Sequence, residues 1–236
     1  AYNGMAGSAS NVGNYSIVAS ASSNPNYALN YVQGTLTITK ANLTVSASNQ
    51  VTTYGSPLVL SQTALTATGL VNGDYVSSAT ILSDTSQTGQ SGANSQVVSG
   101  LINAGTYASN LQISSAAGVG LANYNIAYVK ANLTVSPAVL TVTAVSDGKF
   151  ITQTDAVSSA SNCGTGCLGG YAGVAFSGFV NADSTVSGAV NIASLAVNRS
   201  DSSSDAIGTH AGVLVPSGVT STNYAIRFQN GDYTVS

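Results

Sequence analysis

The 236-residue chain has no Trp and no Glu, one His, two Cys and four Pro, and only 6% of its residues are charged. An ordinary globular protein carries about 25%. Each shortage excludes something. Five Lys and Arg against eight Asp, a net charge of −3, leave too little cation to track a phosphate backbone, so no nucleic-acid partner is expected. With no Glu and one His, paired-carboxylate or His-relay catalysis has almost no material. No Gly-x-Ser-x-Gly elbow supplies a nucleophile either. No apolar run approaches the ~18 residues of a membrane helix, and no charged segment followed by an apolar stretch opens the chain. The sequence reads as the interior of a longer secreted protein, and as a non-enzyme.

Ser, Thr, Asn and 25 Gly replace the missing charge, while 44% of residues are hydrophobic. Disordered chains combine low hydrophobicity with high charge, so this chain is expected to fold. Its order is repetitive. Asn26-Tyr27-Ala-Leu returns as Asn123-Tyr124-Asn-Ile and Asn223-Tyr224-Ala-Ile, at spacings of 97 and 100 residues. Gly69-Leu-Val-Asn-Gly-Asp74 matches Gly178-Phe-Val-Asn-Ala-Asp183, and Gly105-Thr-Tyr107 matches Gly208-Thr-His210 and Gly13-Asn-Tyr15. Such a period predicts tandem modules: two complete ones at 41–136 and 137–236, and the C-terminal part of a truncated one at 1–40. A piece as short as 1–40 buries too little to fold alone, so it is expected to dock on its neighbour or pair with another chain.

Within a module the apolar period is two, as in Leu43/Val45/Ala47 and Leu140/Val142/Ala144, which is the pattern of a half-buried strand. Asn72-Gly73, Asp147-Gly148 and Asn230-Gly231 predict tight turns. The most helix-tolerant stretch is 74–82. The fold class is therefore all-β, an Ig-like sandwich, with a β-grasp-like sheet carrying one short helix as the alternative. Apolar positions are even in Leu36/Ile38 and odd in Leu43/Val45, and the same parity switch recurs around Pro137. Each switch predicts a strand that bends to change faces and feeds the next module, giving a semi-rigid rod.

The stretch Tyr31-Val-Gln-Gly-Thr-Leu-Thr-Ile-Thr-Lys-Ala-Asn-Leu-Thr-Val45, with Thr53-Tyr-Gly55 and Gly69-Leu-Val-Asn-Gly-Asp74, resembles the tandem MBG/YDG-type repeats. Those repeats occur in large bacterial surface adhesins exported by two-partner secretion, the filamentous-haemagglutinin-like proteins. Phe176-Ser-Gly-Phe-Val-Asn181 and Gly231-Asp-Tyr-Thr-Val235 look like the terminal repeats of such proteins. The resemblance implies a stalk or C-terminal region at the bacterial cell surface, serving attachment and biofilm formation. It implies an outer-membrane secretion partner and no catalytic residues. A host or bacterial surface receptor or polysaccharide would be met through other regions of the protein.

Few residues are candidates for chemistry. Cys163 and Cys167 in Cys-Gly-Thr-Gly-Cys are expected to close a small disulfide loop in a secreted chain, since zinc needs four ligands and one distant His cannot complete the set. In the resembled family such a loop near the C-terminus can act as a retention hook, which makes an outer-membrane anchoring segment one alternative function. A glycan- or receptor-binding module using Tyr and Asn is the other. Asn42, Asn132 and Asn198 stand in glycosylation sequons. No cofactor is expected; Ca²⁺ is conceivable only through scattered Asp side chains such as Asp201 and Asp205, without the cluster it prefers. His210 has no carboxylate near it in sequence and reads as a packing or surface residue. So sparse a set of charges also predicts few ion pairs and little sensitivity to salt.

Overall fold

The computed structural model describes residues 10–19, 25–84, 96–155, 169–202 and 204–236. Strands dominate them, and no α-helix occurs among them; a single 3-10 turn lies at Leu121–Asn123. The helix-tolerant stretch 74–82 is a strand. Its alternating residues Ala79, Ile81 and Ser83 are buried, and it pairs along its length with a long neighbouring strand, which overrides local tolerance for helix.

The stretch ahead of the first complete module holds the hairpin β1 (Gly13–Ile17) and β2 (Gly34–Ile38). The first complete module contains β3 (Ala41–Ala47), β4 (Gln50–Thr53), β5 (Leu58–Val59), β6 (Leu65–Thr68), β7 (Tyr75–Ser83), β8 (Val97–Val98), β9 (Gly105–Val119), β10 (Tyr124–Val129) and β11 (Ala131–Ser136). The second contains β12 (Ala138–Ala144), β13 (Asp147–Lys149), β14 (Val174–Ser177), β15 (Ala196–Arg199), β16 (Gly208–Ser217), β17 (Tyr224–Gln229) and β18 (Gly231–Val235). Three-stranded sheets β10-β3-β6 and β14-β12-β17 face four-stranded sheets β4-β11-β9-β7 and β13-β18-β16-β15.

The topology repeats strand for strand. In each module the first two strands pair in parallel with the last two: β3 with β10, β4 with β11, and again β12 with β17, β13 with β18. The two paths bend together from one sheet into the other. Asn49 Oδ1 accepts the Asn132 amide across this bend at 2.9 Å, and Ser146 Oγ accepts the Asp232 amide at 3.1 Å in the second module. Immunoglobulin sandwiches are built of antiparallel sheets; these all-β sandwiches are mixed, because the bent pairs cross both layers.

The parity switch is visible as burial. Ala131, Leu133 and Val135 are inward on β11; after Pro137 alone, Ala138, Leu140, Val142 and Ala144 are inward on β12. Each such Leu or Val contributes about 1.5–3 kcal/mol by leaving water. Two of the three expected turns are something else. Asn72-Gly73 is a tight turn with both φ positive, but Asp147-Gly148 lies in β13 and Gly231 opens β18. Gly148 and Gly231 are small because a Cβ there would lie 2.6 and 2.5 Å from the Thr234 and Ala144 carbonyl oxygens. Close strand approach, rather than chain reversal, selects glycine at both.

Candidate functional site: the joint between modules

The recurring Asn-Tyr pair holds each module's leading end together. The Tyr124 ring is buried, its hydroxyl 2.9 Å from Asp74 Oδ2, and it accepts the Val71 amide at 2.8 Å. Tyr224 repeats this with Asp183 Oδ2 at 2.7 Å and the Val180 amide at 3.0 Å. Burial raises both phenols above their usual range, and their Asp partners raise them further; Tyr224 reaches about 12. The neighbouring Asn reaches outward to the preceding unit. Asn223 Oδ1 accepts the Ala104 amide at 2.9 Å, and its Nδ2 donates to Asn103 Oδ1 at 2.9 Å. Asn123 does the same with the Val12 amide, at 3.0 Å, and Asn11 Oδ1, at 2.9 Å. Asn11 and Asn103 are themselves held by Tyr15 and Tyr107, whose hydroxyls donate to their carbonyl oxygens at 2.6 and 2.8 Å.

At the joint between the complete modules a second contact is added. Tyr54, at the trailing end of the first, donates to Asp183 Oδ2 at 2.9 Å and meets the Tyr224 ring edge-on at 5.5 Å. Asn181 Nδ2 donates to the Gly100 carbonyl at 2.9 Å. Gly55, at φ 88°, lies so close to Val180 that a Cβ would stand 2.5 Å from its Cγ2. A Tyr-Gly turn is therefore what the next module sits on. A family model described as the MBG domain of YGX type matches residues 2–37 and 43–134. The chain belongs to that family. No curated protein and no solved structure matches the chain. One apolar core runs through the MBG module from Leu43 and Val45, past Tyr54, to Leu140, Val190 and Tyr224 beyond the joint. The joint is thus filled by core side chains.

The second module differs at its own trailing end. The strand register places Ile151 where Tyr54 stands and Ala206 where Asn103 stands. Beside them lies a charged cluster that the MBG module lacks. Arg199, its side chain fully buried, donates from Nη1 to Asp155 Oδ1 and Oδ2 at 3.0 and 3.1 Å and from Nε to Asp201 at 2.7 Å. Its Nη2 donates to the Ser204 carbonyl, and its guanidinium lies 4.3 Å over the Tyr233 ring. Lys149 Nζ pairs with Asp155 at 2.7 Å and Asp205 at 2.5 Å. His210 Nδ1 faces Asp201, and its Nε2 is 2.8 Å from the Ala206 carbonyl. Burial alone would raise the carboxyls of Asp155 and Asp201, but their cationic neighbours outweigh it and hold both below the usual range. In the MBG module the position of Arg199 is filled by Ser83, bonded at 2.7 Å to Asn110.

This cluster corrects two expectations. His210 does have a carboxylate partner, and the few charges are concentrated rather than scarce in effect. The Asp residues weighed for Ca²⁺ are occupied by protein donors, and no group of three potential metal ligands occurs among the described residues. Of the sequon residues, Asn42 on β3 and Asn198 on β15 are exposed. Asn132 is half-buried, its Oδ1 accepting the Ser109 amide at a positive-φ bulge at 2.9 Å. Cys163 and Cys167 lie outside the described residues. The module-defining tyrosines Tyr54, Tyr124, Tyr224 and Tyr233 are core residues, so they present no stacking platform for a glycan.

Proposed function

We propose that the chain is a non-enzymatic, load-bearing stretch of repeats in a secreted bacterial surface adhesin, projecting a binding region for attachment and biofilm formation. Export through an outer-membrane secretion partner belongs to this reading, and receptors or polysaccharides are met elsewhere in the protein. The observation that carries it is the parallel pairing of each module's first two strands with its last two. Force applied at a module's two ends pulls those strands in opposite directions along their length. All their hydrogen bonds are then loaded together in shear, instead of one at a time. Membership of the MBG family and the core-filled joint support the same reading.

Single-molecule stretching tests it. Pulled by its ends, each complete module should yield in one step, releasing roughly 300 Å of chain. Pulled instead through Ser46 and Val129, which face each other across β3 and β10, the first module should yield at much lower force. Equal forces in the two geometries would remove the mechanical argument.

A further inference from the structure

The leading end of the module 41–136 copies that of the module 138–236 but lacks its cover. The turn at 180–183 is half-buried because Tyr54, Gly55 and Gly100 lie on it. The turn at 71–74 has the same backbone, with φ 58° at Asn72 against 57° at Asn181, and rests on its core tyrosine in the same way. The Asn pair is also made, through Asn123 and Asn11. Yet Val71 is 51% exposed and Asn72 is exposed. A cavity of about 230 Å³ opens between the hairpin and the module, lined by Val12, Ile38, Val71, Asn72, Asn123 and Tyr124 among others.

We propose that this groove is a docking site for a Tyr-Gly turn of another module of the same kind. The phenol of that turn donates to Asp74, its glycine lies over Val71, and Asn72 Nδ2 donates to a backbone carbonyl beside it. A phenol fits because Tyr54 shows that this carboxylate position takes a second hydroxyl beside the core tyrosine. A glycine fits because the equivalent valine leaves no room for a Cβ. The occupant is the module whose closing strands are β1 and β2. In the first complete module the strand equivalent to β2 pairs with the strand just before its Tyr-Gly turn, β11 with β4; β18 pairs with β13 in the same way, although Ile151 replaces the tyrosine there. The proposal concerns how modules recognise one another and holds whether or not they bear load.

The test completes that module. A copy of residues 41–101 is placed before Ser10 of the full chain, and amide exchange is followed by NMR. Exchange at 71–74 should slow at least about tenfold, and Tyr→Phe at the grafted position 54 should restore part of the original rate. Protection of Gly34–Ile38, showing that the graft has paired, with unchanged exchange at 71–74 would overturn the proposal. Should the graft not pair, a peptide of residues 50–57 at millimolar concentration is added to the ungrafted chain. Shifts confined to 71–74 and 123–124, and lost in Asp74→Ala, support the site; no shift overturns it.

Discussion

The hydrogen bond from Tyr54 to Asp183 links the two complete modules, and removing it has a calculable cost. Hydrogen bonds to charged groups contribute about 1.5–3 kcal/mol. Asp183 is half-buried and keeps the Tyr224 hydroxyl, so the coupling between Tyr54 and Asp183 should fall near the lower end, about 1.5 kcal/mol. A double-mutant cycle of Tyr54→Phe and Asp183→Ala isolates it. The assay is urea unfolding of the full chain, followed by NMR peak intensities from β12. Tyr54→Phe with Asp74→Ala serves as the control, because Asp74 sits on the other end of the module; that pair should be additive within about 0.5 kcal/mol. Additivity of Tyr54→Phe with Asp183→Ala would refute the account of the joint.

Three further outcomes follow from the same geometry. Gly55→Ala forces a Cβ onto Val180 at a left-handed φ, so it should cost about 1–3 kcal/mol and raise the radius of gyration in X-ray scattering while both modules stay folded. Asp155 and Asp201 are depressed below 3.8, so the stability they supply is complete above that value and is lost as pH falls through their lowered values. The second module should therefore lose stability in acid in a way the first does not, and Arg199→Met should cost it about 3 kcal/mol at neutral pH; identical acid transitions for both modules would count against the cluster. Tyr224 and Tyr233 are raised from 10.0 to about 12, chiefly by burial, so their neutral phenols stabilise the fold fully below 10 and lose that contribution as pH approaches 12. Tyrosinate absorbance should show a late fraction that ionises together with unfolding, and a single transition near 10 would contradict this.

Much of the architecture was legible because burial follows sequence parity. Leu43, Val45, Leu140 and Val142 are inward as alternation demands, and the switch around Pro137 marks the strand that passes between modules. Strand partners were not legible. Ala-Asn-Leu-Thr-Val-Ser occurs at 41–46 and again at 131–136, yet one copy opens a module in the three-stranded sheet and the other closes it in the four-stranded sheet. Identical local preference cannot choose between these places; the bent parallel pairing does. The joint was half legible: the Asn-Tyr repeat marked its position, but nothing in the spacing joined Tyr54 to Asp183. The charged cluster was missed because its members, Lys149 and Asp155 on one side and Arg199, Asp201, Asp205 and His210 on the other, come from two stretches 44 residues apart. One signal was available: six of the eight Asp lie in the last module.

The central claim is that the two complete modules form one continuous body through a core-filled joint. Amide ¹⁵N relaxation of the full chain measures it directly. A single anisotropic diffusion tensor should describe strands β3, β11, β12 and β18 together, and Gly55→Ala should split it. Separate, faster tumbling of 41–136 and 138–236 in the unaltered chain would contradict the account.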